Sequence, residues 1–276
     1  MLMNSSPQSA KGVLPLPLAS CLYYLIFFAL AFVTRPELSA QPVSLFNWRL
    51  PDLMLPILTA WLGASVAIAL VFLFGRAQEV ADSQNQWLPF LLGGIVVDIV
   101  CNFAAIKLMR DAGENAAQGV LPLALVATAN LGILIAATSA GLLVAKGLKE
   151  PRYLVMAAIV GAVTDIFSVY AGPSKQVLSS DVFPYVGYQW GVWSQGVIPC
   201  VGAGDFIFLS LYFAGARRFD LSERKTFLAM IAAFGLGFLS LAFTSSGIPA
   251  LPFMATLLLL VHARELKRQM HKASNP

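Results

Sequence analysis

Three aspartates lie within long apolar segments of the sequence, and their type and position point first to chemistry. Asp98, Asp165 and Asp205 are three of 14 acidic residues, and the other acids lie in polar segments or tails. A lone carboxylate in hydrocarbon costs about 2.5–3.5 kcal/mol on insertion scales, so such residues usually face the interior of a helix bundle and have a function. These three residues are therefore the first candidates for a functional site.

Asp165 and Asp205 lie at depths that allow their carboxyl groups to meet. Asp165 precedes the expected outer end of its segment, near Ala171, by about 9 Å at the helical rise. Asp205 follows the expected start of the next apolar segment, near Gly196, by about 14 Å. Two neighbouring carboxyl groups in an apolar site cannot both ionise readily, so one stays protonated while the other is charged. Such a pair can activate water against a peptide carbonyl without metal, cofactor or covalent nucleophile.

Asp98 has a different setting. Asn102 follows it by one helical turn and lies on the same helix face. This spacing favours a polar contact between helices over a role in proton or water access.

The composition defines the elements that must position these acids. The chain has 276 residues, of which 58% are hydrophobic and 12% charged, whereas a soluble domain carries about 25% charged residues. This composition excludes a disordered chain, a nucleic-acid-binding module and a coiled coil, and it disfavours an ordinary soluble enzyme. We therefore expect a polytopic membrane protein surrounded by the lipid bilayer.

The apolar segments predict an all-α bundle of about eight transmembrane helices, or nine if one N-terminal helix is hidden. A helix needs about 20 apolar residues to cross the bilayer. The eight predicted spans are 16–34, 53–75, 88–109, 119–145, 153–171, 196–216, 226–244 and 248–263. The first is interpreted as a span rather than a signal peptide because its apolar stretch is long for one.

The basic residues predict the orientation of these spans. Of 18 lysines and arginines, 13 fall on the side that carries both termini and 5 on the other. Because cytoplasmic loops are enriched in basic residues, we expect both termini in the cytoplasm, in a multi-pass protein of the cell membrane. The segment 172–195 then faces outward.

The cysteines and histidines give no sign of a metal centre. Cys21, Cys101 and Cys200 are far apart and form no CxxC pair, and His262 and His271 form no HExxH motif. Buried thiols are the expected state, and neither a disulfide framework nor a zinc site is predicted.

Small residues and prolines surround the proposed pair. Asp205 ends the sequence Gly202-Ala203-Gly204-Asp205, in which the glycines allow close approach of a helix or a substrate backbone. The last span begins with Pro249-Ala250-Leu251, followed by Pro252. Prolines interrupt regular helix hydrogen bonding, and in a membrane the freed backbone groups survive only where they line a protein cavity.

With these motifs the sequence resembles the presenilin and signal peptide peptidase family of GxGD intramembrane aspartyl proteases. Three signatures occur in the family's order: the segment from Asp165 to Lys175, the GxGD block at 202–205, and the PAL motif at 249–251. The resemblance covers about residues 153–263. It implies N-terminal scaffold helices over 1–151 and a presenilin-like catalytic bundle over 152–276.

The resemblance also implies roles for individual residues. Asp165 and Asp205 are the catalytic pair, Gly202 and Gly204 shape the site, and the PAL residues Pro249, Ala250 and Leu251 border the substrate channel. The implied activity is an aspartic endopeptidase without a cofactor. It would cleave transmembrane proteins or signal peptides inside the bilayer, with the segment after Asp165 pairing with the unwound substrate as an added strand.

Several features depart from the family pattern. Thr164 stands where the family usually has tyrosine, Ala203 replaces the common leucine, and eight spans are predicted where nine are typical. The charge bias orients the catalytic half as in signal peptide peptidase and opposite to presenilin.

Two other functions fit part of the pattern. A proton- or cation-coupled transporter could use the three intramembrane acids as a relay, although no paired half-repeats occur. A catalytically inactive relative that binds membrane helices is the second alternative, and Thr164 is the feature that favours it. A prepilin-type peptidase is disfavoured because Phe206 and Ile207 stand where that family has a lysine.

Overall fold

The computed structural model describes residues 16–33, 50–81, 87–111, 120–178, 185–192, 196–241, 243 and 248–274. Eight helices of 16 to 32 residues, one short helix and a two-stranded hairpin make up these ranges. In chain order they are α1 (Leu16–Val33), α2 (Leu50–Ala81), α3 (Trp87–Asp111), α4 (Val120–Ala145), α5 (Pro151–Ala171), α6 (Pro173–Leu178), β1 (Gly187–Val192), β2 (Gly196–Gly202), α7 (Ala203–Arg218), α8 (Glu223–Leu241) and α9 (Leu251–Ser274).

The fold is a helical bundle with membrane-spanning character. Among the described residues, four helical segments are long and apolar enough to cross a membrane: Ile57–Gln78, Leu88–Asp111, Val120–Ala145 and Pro151–Ala171. Large apolar side chains on α3 and α5 point outward, as expected for surfaces that face lipid. These features indicate a multi-pass membrane protein, and the remaining predicted spans, although each contains a helix, stay predictions.

The predicted span 196–216 is wrong over its first seven residues. Gly196–Gly202 form strand β2, which pairs antiparallel with β1, and helix α7 begins at Ala203. Two glycines and Pro199 within seven residues disfavour a helix, and β1 supplies the partner that a strand needs. The depth of about 14 Å estimated for Asp205 assumed a helical rise and is therefore also wrong.

Helix α4 lies at the centre of the bundle and packs closely against α3. A Cβ atom on Gly94 would lie 2.6 Å from the carbonyl oxygen of Gly132, and one on Gly132 would lie 2.7 Å from the carbonyl oxygen of Gly94. Small residues at such a crossing let two backbones approach, which is how membrane helices gain packing contacts.

Polar contacts join the ends of several helices at one end of the bundle, which is called its basic face below. Arg76 Nη2 lies 2.9 Å from Glu223 Oε1, Lys225 Nζ lies 2.5 Å from Glu265 Oε1, and Arg218 donates to the last carbonyl of α4 at 3.2 Å. This face carries the residues for which the charge distribution predicts a cytoplasmic location.

Candidate functional site

The start of α9 contacts Asp165 directly. The backbone N–H of Leu251 donates a hydrogen bond to Oδ2 of Asp165, with an N–O distance of 3.0 Å. The first N–H groups of a helix have no partner within the helix, so Leu251 has a donor to spare. Pro249 and Ala250 precede the helix, whereas Pro252 is its second residue, a position in the first turn that proline tolerates. The freed donor at the start of α9 therefore meets one of the two candidate catalytic acids.

Asp205 lies in the first turn of α7. Gly202 is the N-cap residue of this helix, and its backbone N–H donates to the Asp205 carboxylate. A side chain at the third helical position that reaches back to the N-cap N–H forms one half of a capping box, and Gly202 has no side chain to form the other half. A Cβ atom on Gly202 would lie 3.6 Å from Oδ2 of Asp205, which is an ordinary contact distance. The local sequence thus fixes where the Asp205 carboxylate points.

The carboxyl groups of Asp165 and Asp205 lie close enough for their charges to interact. Both are also within electrostatic reach of the buried Tyr212, which lies two turns after Asp205 on α7. Sequence reasoning did not single out this tyrosine. Its spacing of seven residues from Asp205 places both side chains on one helix face. This spacing is the feature of the sequence that could have indicated Tyr212.

The space between α5 and α7 is set by a glycine that the motifs do not include. A Cβ atom on Gly161 would lie 2.6 Å from Cε1 of Phe208, closer than such atoms approach in proteins. Gly161 precedes Asp165 by one helical turn, and Phe208 follows Asp205 by about one turn. The lack of a side chain at Gly161 therefore lets the Phe208 ring pack against α5, between the helices that carry the two acids.

The glycines of the GxGD block have different surroundings. Gly204 is exposed, and within the described ranges no atom lies within 4 Å of the position its Cβ would take. The close helix contact expected at the block is thus not at Gly204, and the described residues leave open space where its Cβ would point. The structure brings together Asp165, Asp205, Gly202 and Leu251, with Gly204 on the open side.

Asp98 belongs to a separate buried network. Asn102 Nδ2 donates to Asp98 Oδ1 at 2.8 Å, and Gln189 Nε2 donates to Asn102 Oδ1 at 2.6 Å. The predicted polar contact therefore exists, but it joins α3 to strand β1 of the hairpin. Among the described residues, no group of three or more His, Cys, Asp or Glu side chains is arranged so that it could hold a metal ion.

Comparisons with known proteins identify no relative. The chain matches no protein-family model, no curated protein and no solved structure. Its function must therefore be argued from the arrangement of its own residues.

Proposed function

We propose that this protein is an intramembrane aspartyl protease in which Asp165 and Asp205 activate water to hydrolyse a peptide bond. The single observation that carries the proposal is the convergence of three distant segments. The carboxyl groups on α5 and α7 interact with each other, and the backbone of the Pro249-Ala250-Leu251 segment donates to one of them. Intramembrane acids are functional by default, and a paired set with a fixed backbone donor suits acid–base catalysis.

The two acids divide the reaction between them. One carboxylate accepts a proton from water as the water oxygen attacks the peptide carbonyl carbon, and the other, protonated, donates its proton to the carbonyl oxygen. The resulting tetrahedral diol collapses with proton transfer to the amide nitrogen, which gives a carboxylic acid and an amine. Water is the only co-reactant, and the proton count balances within the pair.

The substrate class follows from the position of the pair inside the bundle. Peptide bonds that reach it belong to transmembrane segments or signal peptides, and a helix must unwind first because its carbonyls are bound within the helix. The open space beside Gly204 gives an unwound segment room next to Asp205. Strand β2 leads directly into Gly202, so a substrate strand added to the hairpin would run toward the pair.

The proposed orientation has both termini in the cytoplasm and the pair in the outer half of the cell membrane. The ionic contacts of Arg76, Glu223, Lys225 and Glu265 gather at the basic face, and basic residues mark the cytoplasmic side of membrane proteins. Asp165 lies near the opposite end of α5 from the basic residue Arg152.

A proton- or cation-coupled transporter and an inactive helix-binding relative remain the alternatives. A relay of acids has no need for a backbone donor fixed on Asp165, and Asp98 is held by Asn102 in a separate network. These contacts support the protease over the transporter. The inactive relative is separated from the protease by the presence of peptide products.

The test uses purified protein in liposomes with a panel of single-span substrates, with and without a hydroxyl-containing transition-state mimic of a peptide bond. We expect products whose masses place the cut inside the apolar segment, and we expect the mimic to suppress them. A parallel assay measures proton and sodium flux across the same liposomes. Flux without peptide products would support the transporter, and substrate binding without products would support the inactive relative.

A further inference from the structure

A side-chain amide on α4 pairs in both directions with the backbone of the hairpin. Asn130 Nδ2 donates to the carbonyl oxygen of Gln189 at 2.6 Å, and the backbone N–H of Gln189 donates to Asn130 Oδ1 at 2.8 Å. Asn130 is 1% exposed and Gln189 is 4% exposed. The carboxamide of Asn130 therefore takes the place that a neighbouring strand would have beside β1.

The hairpin is irregular at Gln189. The register shifts between Tyr188 and Gln189, and Gln189 lies opposite Pro199 on β2. Proline has no backbone N–H, so it cannot donate to the Gln189 carbonyl. At this irregular position, Asn130 binds both the carbonyl oxygen and the N–H of Gln189.

The same contact belongs to a network that ties the hairpin to three helices of the N-terminal half. The Gln189 side chain donates to Asn102 on α3, which donates to Asp98. Asn130 Nδ2 also lies 3.2 Å from the hydroxyl oxygen of Tyr23 on α1. Because all five residues are buried, water does not compete for these hydrogen bonds, and the strand is held in one place.

The hairpin transmits this position to Asp205. Gly187, two residues before Gln189, pairs with Gly202, whose N–H binds the Asp205 carboxylate. The ring of Tyr188 contacts that of Phe206, the residue after Asp205, with centroids 5.6 Å apart. A displacement of β1 would therefore move the first turn of α7.

We propose that Asn130 is a positioning residue for Asp205, acting through the hairpin. The inference rests on the proposed function for the role of Asp205, but the hold of Asn130 on the hairpin can be measured without it. It assigns the N-terminal half a part in forming the site, beyond that of scaffold helices.

The test compares Asn130→Leu, which removes the two hydrogen bonds to Gln189 and the one to Tyr23 with a side chain of similar branching, with Thr138→Val on the same helix. Thr138 is buried and its hydroxyl binds only the carbonyl of Leu134 among the contacts described, so it is a matched control. Hydrogen–deuterium exchange of segment 187–209 should rise by on the order of tenfold in Asn130→Leu. In the same variant kcat should fall by on the order of tenfold with KM unchanged, since a misplaced carboxyl affects the chemical step.

Several outcomes would overturn the proposal. The first is that exchange in segment 187–209 is the same in Asn130→Leu as in the wild type, or rises equally in α8. The second is that Thr138→Val has the same effect as Asn130→Leu. The third is that exchange becomes faster in Asn130→Leu while kcat does not change. If Asn130→Leu fails to fold, Asn130→Ala also removes these hydrogen bonds with a smaller side chain, and the same local rise is expected. If the wild-type protein cleaves no substrate, the proposed function fails, while the exchange measurement still decides whether Asn130 holds the segment that carries Asp205.

Discussion

The backbone N–H of Leu251 binds Oδ2 of Asp165 across 86 residues of sequence. This contact fixes the start of α9 against α5 at the height of the proposed catalytic pair. Since Ala250 accepts the first helical hydrogen bonds from Phe253 and Met254, Leu251 is the first residue of the helix, and its N–H is free to point at the carboxylate. The PAL segment therefore acts as a donor to Asp165 as well as a break in the helix.

Removing this donor should lower activity more than removing the side chain. In Leu251→Pro the N–H is lost, yet proline is compatible with the first position of a helix. A hydrogen bond to a charged group contributes about 1.5–3 kcal/mol, so we expect kcat at least about tenfold below that of Leu251→Ala. Both variants lose the buried leucine side chain, and equal kcat values for the two would contradict the role of the N–H.

Enlarging Gly161 should separate α5 from α7. In Gly161→Ala the new Cβ would meet the Phe208 ring at 2.6 Å, and overpacking of this kind costs about 1–3 kcal/mol. We expect a lower free energy of unfolding and slower cleavage, both partly restored in Gly161→Ala/Phe208→Leu. Gly204→Ala, where the added methyl group meets open space, serves as the stability control. A Gly161→Ala protein as stable as that control would show that the contact does not set the helix spacing.

Acid should weaken the end of the bundle where α8 meets α9. Hydrogen bonds from Lys225 and His262 lower the pKa of Glu265 from about 4.5 to about 2. A lowered pKa in the folded state gives stabilisation that is complete above about 4.5 and is lost as the pH falls toward about 2. The Tm should therefore fall less steeply over this window in Glu265→Gln than in the wild type. Glu150→Gln, which removes an ion pair with nearby Arg152, is the control, and identical pH profiles for Glu265→Gln and the wild type would contradict the assignment.

Residues at the two ends of the bundle should react with a thiol reagent added on opposite sides of the membrane. In a background without Cys21, Cys101 and Cys200, Met270→Cys near the end of α9 should react with an impermeant thiol reagent only in inside-out vesicles. Gln176→Cys on α6 should react only in right-side-out vesicles, because α6 follows the other end of α5. Labelling of both positions from one side would contradict the orientation derived from the basic residues.

The sequence was sufficient to predict the helical membrane character and to single out Asp165, Asp205 and the segment 249–251 as candidates, whereas the contact between Leu251 and Asp165 came from the structure. Long apolar runs have one stable solution in lipid, since the helix satisfies its own backbone groups. The run at 196–202 was misassigned because a short apolar segment fits a helix or a strand equally well by periodicity. Strand β2 exists because β1 pairs with it, and a single segment does not reveal its partner.

The contacts that position the pair lay outside the reach of local patterns. Asn130 and Gln189 are 59 residues apart, and no feature of the sequence near either residue predicts their contact. The Gly161–Phe208 contact is equally nonlocal, because it depends on the crossing of two helices. The motifs therefore indicate the two aspartates, whereas the packing around their carboxyl groups is known only from the structure.

The most direct test of the account is cleavage of one single-span substrate in liposomes by the wild type and three single variants. Asp165→Ala and Asp205→Ala should each abolish the products while the proteins remain inserted and folded. Asp98→Asn, which removes the third intramembrane acid and keeps the oxygen that accepts from Asn102, should cleave at about the wild-type rate. Continued cleavage by Asp165→Ala or by Asp205→Ala would contradict the catalytic pair.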